Sequence, residues 1–121
     1  MQETLYDGDG NPIAYIDYND SSTFYMWDGQ PVAYLDDANR IYGFNGMHLG
    51  WYENGIVRNL RGEKNGFNKN TLTVYRKFEP FKSFKRFKPF KRYKEYPKYK
   101  PYTSFRNSPV SLSQYLLMGK I

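Results

Sequence analysis

Residues 24–36 have the sequence FYMWDGQPVAYLD, and the same pattern occurs at residues 5–17 as LYDGDGNPIAYID. A third copy, IYGFNGMHLGWYE, occupies residues 41–53, and a weaker fourth, VRNLRGEKNGF, occupies residues 57–67. Each copy has a glycine between two apolar or aromatic flanks. These glycines lie 16 to 19 residues apart, at Gly10, Gly29, Gly46 and Gly62. Self-similarity at this period indicates tandem copies of one small structural unit.

Each unit is predicted to be a β-hairpin. The dipeptides Asp9-Gly10, Asp28-Gly29 and Asn45-Gly46 are those favoured by two-residue type I′ turns, in which both central residues have positive φ. Their flanks are rich in β-branched and aromatic residues, which suit strands. The fourth copy departs most, because Arg61-Gly62 is a poorer turn dipeptide. Residues 4–70 are therefore predicted to form eight short strands in four tandem hairpins.

The composition limits how a core can be built. Only 26 of the 121 residues are Ile, Leu, Val or Phe, a share at which chains approach intrinsic disorder. Tyr and Trp raise the aromatic share to 20%. We therefore expect a single domain over residues 1–121 whose core is made of rings more than of aliphatic side chains. The absence of Cys excludes disulfides, thiol nucleophiles and cysteine metal sites.

Residues 75–106, called the tract below, carry a second pattern. An aromatic residue recurs at every third position: Tyr75, Phe78, Phe81, Phe84, Phe87, Phe90, Tyr93, Tyr96, Tyr99, Tyr102 and Phe105. Residues 76–106 hold twelve basic and two acidic residues, whereas residues 1–75 hold ten acidic and five basic ones. This asymmetry favours either a polyanionic partner or self-association through opposite charges.

The period of three selects an extended conformation. An α-helix turns about 100° per residue, so it would scatter the rings over all its faces, and four prolines oppose a helix as well. Polyproline II has three residues per turn and places the rings on one edge and the basic residues on another. An extended tract of roughly 96 Å is far longer than the hairpin module is wide. We therefore predict that it wraps around the hairpins.

Two orientations of the tract are open. We favour one in which the rings pack inward and complete the core, because eleven exposed rings would form an apolar stripe. The lysines would then face outward or pair with the acidic front half. In the alternative, the rings stack on the bases of a single-stranded nucleic acid and the cations neutralise its phosphates. The predicted polyanion-binding residues are Lys82, Lys85, Arg86, Lys88, Lys91, Arg92 and Lys94.

The end of the chain is predicted to be a short helix over residues 111–118. Ser111 and Gln114 have the spacing of a capping box, and Gly119 is a C-terminal stop. The apolar residues of this helix are expected to plug one end of the hairpin module.

The repeats resemble the four-fold beta flower family of small, largely uncharacterised bacterial proteins. The resemblance is carried by LYD at residues 5–7, YMWDG at 25–29, VAYL at 32–35, IYG at 41–43 and HLGW at 48–51. It continues through the tract into the terminal helix. It implies an all-β fold of four hairpin petals around a pseudo-four-fold axis. It implies no known activity, and therefore no functional residues.

Candidates for catalysis are few. His48 is the only histidine, and we expect it to be packed or solvated. Asp7 begins a calcium-like run, but Tyr18 stands where an EF-hand requires Glu. We expect no metal and no cofactor. The acidic, polar N-terminus is unlike a signal peptide, and no apolar run is long enough to span a membrane, so a cytoplasmic protein is expected.

Three functions remain open. The first hypothesis is a non-enzymatic structural or interaction module whose partner is a protein or a second copy of the chain. The second is sequence-tolerant binding of nucleic acid along the tract. The third is a cage for a cationic ligand formed by the rings of Tyr15, Tyr34 and Trp51, since aromatic faces attract cations.

Overall fold

The computed structural model describes residues 1–121, which form eight strands and one helix. The strands are β1 (Gln2–Tyr6), β2 (Pro12–Asp17), β3 (Thr23–Met26), β4 (Pro31–Leu35), β5 (Arg40–Gly43), β6 (His48–Glu53), β7 (Ile56–Asn59) and β8 (Lys64–Phe67). Each strand pairs antiparallel with the next, and β1 pairs with β8 between Tyr6 and Phe67, so the sheet closes into a barrel. The prediction of an all-β fold is confirmed. The four petals are β1–β2, β3–β4, β5–β6 and β7–β8.

The four petal turns share one hydrogen-bond pattern. In the first turn the N–H of Gly10 donates to the carbonyl of Asp7 at 3.1 Å, and the N–H of Asp7 donates to Asn11 at 3.0 Å. Equivalent pairs of bonds close the other three turns, including the weaker fourth at Gly62. In each turn only the glycine of the predicted dipeptide has positive φ, between 80° and 93°.

The prediction of type I′ turns is therefore wrong for the petals. Each petal ends in a type I turn closed by a glycine bulge, and the strand register shifts beside it. A side chain explains the longer turn in the first petal, because Asp7 Oδ1 accepts the N–H groups of Asp9 and Asn11 at 3.0 and 2.9 Å. Two consecutive positive φ values occur instead in links between petals, at Ser21 and Ser22 between β2 and β3 and at Asn54 and Gly55 between β6 and β7.

The interior of the barrel is mainly aliphatic. Its core cluster has 14 buried residues, of which only Phe24, Tyr52 and Tyr115 are aromatic. The expectation of a core made of rings is therefore wrong for the interior. Because side chains alternate along a strand, the strands that supply this core also point buried rings outward: Tyr6, Tyr15, Tyr25, Tyr34, Tyr42 and Trp51. These outer rings form a second buried layer, outside the barrel.

The predicted short C-terminal helix is confirmed as α1 (Leu112–Leu117), which packs into the core of the barrel. Ser111 caps it, with Oγ accepting the N–H of Gln114 at 3.1 Å, and Leu112, Tyr115 and Leu116 belong to the core cluster. Two glycines of the strands make room for the helix. A Cβ at Gly50 would lie 2.5 Å from Tyr115 Oη, and a Cβ at Gly66 would lie 2.8 Å from Leu112 Cδ1.

Candidate interaction surface

The tract runs around the barrel and meets each petal turn in the same way, once every nine residues. The carbonyls of Tyr75, Phe84, Tyr93 and Tyr102 lie against the turn glycines Gly10, Gly29, Gly46 and Gly62, respectively. Two residues further on, a backbone N–H donates to the carbonyl of the same glycine at 2.9 to 3.1 Å: Lys77 to Gly10, Arg86 to Gly29, Glu95 to Gly46 and Ser104 to Gly62. Three periods of the aromatic pattern thus span one petal.

The approach of the tract to the turns leaves no room for a side chain. A Cβ on Gly29 would lie 2.0 Å from the carbonyl oxygen of Phe84, and one on Gly46 would lie 2.1 Å from that of Tyr93. The turn glycines therefore serve both the positive φ of the turn and the docking of the tract.

Lysines of the tract cover the outer tyrosines. Four of them place their ammonium groups 4.1 to 4.9 Å from a ring centre: Lys82 on Tyr15, Lys85 on Tyr25, Lys91 on Tyr34 and Lys94 on Tyr42. Below these lysines, Tyr15 stacks on Tyr25 at 5.6 Å and Tyr34 stacks on Tyr42 at 6.2 Å, measured between ring centres. The lysines of the tract therefore lie on the negatively polarised faces of paired tyrosine rings.

Carboxylates at or just after the ends of β2, β4 and β6, called the link carboxylates below, bind the same edge of the tract. The ion pairs are Asp17 with Lys85, Asp20 with Lys88, Asp36 with Lys94 and Glu53 with Lys100. The hydrogen bond from Lys85 lowers the pKa of Asp17, and the hydrogen bond from Lys88 does the same for Asp20. Lys91 has no acidic partner, and its pKa is lowered by burial and by the neighbouring Lys88 and Lys94.

In the fourth petal, the barrel and the tract exchange the roles of cation donor and partner. Arg58 stands where the first three petals have Tyr6, Tyr25 and Tyr42. Its Nη1 donates to the carbonyls of Gly62 and Ser104 at 2.7 and 2.8 Å. Here the petal supplies the cation, and the tract has Thr103 where it has a lysine nine and eighteen residues earlier.

All eleven rings of the tract point away from the barrel. Their exposed fractions lie between 89% and 103%. We call this set of rings, from Tyr75 to Phe105, the aromatic belt. The favoured prediction that the rings pack inward is wrong, because the outer face of the barrel already presents ring faces and carboxylates. Cationic side chains satisfy both, whereas inward aromatic rings would bury carboxylates without a partner.

The chain matches the family described as 4-fold beta flower protein over residues 3–116. It belongs to this family. No curated protein and no solved structure matches it. The match covers the four petals, the tract and most of α1, so the tract is part of the beta flower unit.

In this beta flower protein, most of the predicted site residues contact other residues of the same chain. Of the seven predicted polyanion-binding residues, four pair with carboxylates, namely Lys85, Arg86, Lys88 and Lys94. Lys82 and Lys91 lie over tyrosine rings, and Arg92 has neither kind of partner. In the predicted cage, lysines of the same chain occupy the faces of Tyr15 and Tyr34, while Trp51 packs edge-on against His48 at 4.7 Å.

His48 holds the tract in the third petal. It is 1% exposed, and its Nδ1 accepts the N–H of Lys98 at 2.9 Å. With Nδ1 acting as acceptor, the proton is on Nε2, which donates to the carbonyl of Gly50 at 3.0 Å. Burial lowers the pKa of His48. The only histidine of the chain is therefore neutral and fully hydrogen-bonded.

Some residues that hold the tract were not singled out from the sequence. They are Tyr25, Tyr42, Asp17, Asp20, Asp36 and Glu53. A signal was present, because lysines recur nine residues apart in two series, Lys82–Lys91–Lys100 and Lys85–Lys94. The structure contains no cluster of three or more metal-ligating side chains. Its helix is too short and too polar to cross a membrane.

Proposed function

We propose that this protein is a non-enzymatic interaction module and that the aromatic belt is its binding surface. The observation that carries the proposal is the exposure of all eleven rings. Soluble proteins seldom expose contiguous apolar patches of this size without a partner. The rings of the belt contribute almost no buried area to the barrel, since the backbone and the lysines of the tract hold the petals. Among these rings, Phe105 has a petal cation near its face, Lys64 Nζ at 6.0 Å from the ring centre. The rings are therefore available for binding.

The arrangement of polar groups supports a binding role over a catalytic one. The hydrogen-bonding nitrogens of His48 are both used within the fold, and Asp17, Asp20, Asp36 and Glu53 each bind a lysine of the tract. These groups hold the tract in place, which leaves the belt as the surface that faces other molecules.

Site-specific photocrosslinking tests the proposal. A benzophenone side chain replaces Phe87 in the full chain, expressed in cells, and a matched control places it at Leu60, which is 36% exposed outside the belt. We expect adducts with another macromolecule at position 87 and at least tenfold fewer at position 60. If benzophenone at Phe81, Phe87 and Tyr96 gives no adduct above the control, the belt is not a binding surface.

Single-stranded nucleic acid is the second candidate partner. The observation that favours it is again the outward orientation of the rings, because base stacking on exposed rings is tolerant of sequence. Arg92 and Lys77 have no acidic partner and remain available for phosphates. Adducts at position 87 that are destroyed by nuclease, together with binding that weakens as salt is added, would support this function.

A further inference from the structure

The spacing of the belt makes it complementary to itself. Rings three residues apart in an extended chain are about 9 to 10 Å apart. A ring inserted midway between two of them would lie about 5 Å from each, within the 4.5–7 Å range that aromatic pairs prefer. The rings of the belt are 89–103% exposed, so side chains of the same chain leave the gaps between them open. The rings of a second belt have the spacing that would fill them.

The ion pairs of the tract reduce both its attraction for a polyanion and its repulsion for a second copy. Six of the twelve basic residues in 76–106 have a carboxylate within 4.0 Å. The tract is therefore far less positive, as folded, than its sequence suggests. The remaining repulsion between two belts is carried by side chains beside the rings and is screened by salt. Association of belts should therefore strengthen as salt is added, whereas binding to a polyanion should weaken.

The area of the belt exceeds what one dimer contact uses. An aromatic side chain buries about 150–250 Å², so four or five rings supply the roughly 800 Å² that each partner gives to a standard interface. Eleven rings around the barrel are enough for two such contacts. A two-fold contact on one side would leave the other rings exposed, and further copies can then add.

We infer that the partner of the belt is a second copy of this chain, and that belts interdigitate ring by ring to form assemblies of more than two copies. The inference rests on the proposed function, since it names the partner of the same surface. In the expected assembly, Phe81, Phe84, Phe87 and Phe90 of one chain insert between belt rings of the next.

Sedimentation velocity of the purified full chain tests the inference. We expect species larger than the 14.4 kDa monomer, increasing with concentration and with salt between about 50 and 500 mM. Replacement of Phe81, Phe84, Phe87 and Phe90 by Ser should weaken the apparent association at least tenfold. The control variant carries Met47→Ser and Leu60→Ser, which lie outside the belt and are 41% and 36% exposed. It should associate like the native chain.

A second measurement does not depend on the fourfold variant folding. The purified chain with benzophenone at Phe87 should form covalent dimers and larger ladders upon irradiation, at least tenfold more than the chain with benzophenone at Leu60. A native chain that remains monomeric at all concentrations and salts overturns the inference, as does a fourfold variant that associates like the native chain. If the purified chain is monomeric but the cellular crosslinks at position 87 identify another molecule, the interaction module stands and self-association fails.

Discussion

The turn glycine of each petal carries two constraints that are usually separate. Gly29 has a φ of 93°, a conformation that costs other L-residues about 1–2 kcal/mol. It also lies under the carbonyl of Phe84, where a Cβ would be 2.0 Å from the oxygen. The oxygen belongs to the backbone of the tract and not to a flexible side chain, so relief of the clash requires the tract to move.

Replacing Gly29 with Ala should therefore destabilise the protein by about 2 kcal/mol or more, because the strain of positive φ adds to the loss of tract contacts. Urea unfolding monitored by Trp fluorescence measures the change. Gly8→Ala is the matched control, because a Cβ there meets nothing within 4 Å. It should change the free energy of unfolding by less than about 0.5 kcal/mol. Equal effects of the two substitutions would contradict the docking geometry.

The tract is an element without internal backbone–backbone hydrogen bonds, and it is held mainly by its contacts with the barrel. Its backbone N–H groups bond to petal turns, its lysines lie on tyrosine rings, and its lysines pair with the link carboxylates. These contacts recur from petal to petal, so the tract binds the barrel with a nine-residue repeat. The tract is extended because it must reach the turns of all four petals.

One anchor of this element depends on pH. Protonation of His48 on Nδ1 would remove the acceptor for the N–H of Lys98. The unfolded chain binds this proton with a pKa near 6.5, whereas burial lowers the pKa in the folded state. The unfolded state thus binds more protons as pH falls below 6.5. The stability contributed by His48 is complete above pH 6.5 and is lost as pH falls through the lowered pKa.

The free energy of unfolding should accordingly decrease between pH 6.5 and 5, with a slope of up to about 1.4 kcal/mol per pH unit. Urea unfolding at a series of pH values measures it. His48→Gln removes the titrating group and should give a flatter profile over this interval. Arg40 and Glu95 also face His48, and both remain in the variant. A variant that shows the same slope as the native chain would exclude His48 as the cause.

The molecule as a whole is built in three shells. Aliphatic side chains and α1 fill the barrel, outer rings cover it, and the tract covers those rings. The petals alone would lose the outermost shell and the part of the interior that α1 supplies. Tyr6, Tyr15, Tyr25 and Tyr42, now 0–2% exposed, would face water, and the interior would lose Leu112, Tyr115 and Leu116.

A fragment of residues 1–75 should therefore fold poorly, with no cooperative thermal transition. Circular dichroism and differential scanning calorimetry check this against the full chain. As a control, the full chain with Phe81→Ser and Phe87→Ser should melt within a few degrees of the native protein at a concentration at which both are monomeric, because those rings are exposed within the single chain. A monomeric 1–75 fragment that melts cooperatively would show that the tract and α1 are dispensable for folding.

Local chemistry made much of this architecture predictable. The repeated glycines predicted the petals, and the period of three predicted an extended tract. The spacing of Ser111 and Gln114 predicted the helix. The turn type was not predictable from the dipeptides alone. Asx hydrogen bonds such as those of Asp7 can close a longer turn with the same Asp-Gly or Asn-Gly pair.

The period of three in the sequence predicts that rings and lysines lie on different edges of the tract, because a polyproline-like chain has three residues per turn. Only the tertiary structure decided which edge faces the barrel. That choice depends on the surface that meets the tract, where paired tyrosine faces and link carboxylates come together once the sheet has closed. Ring faces and carboxylates both attract ammonium groups. The lysines therefore turn inward, and the aromatic belt is left facing outward.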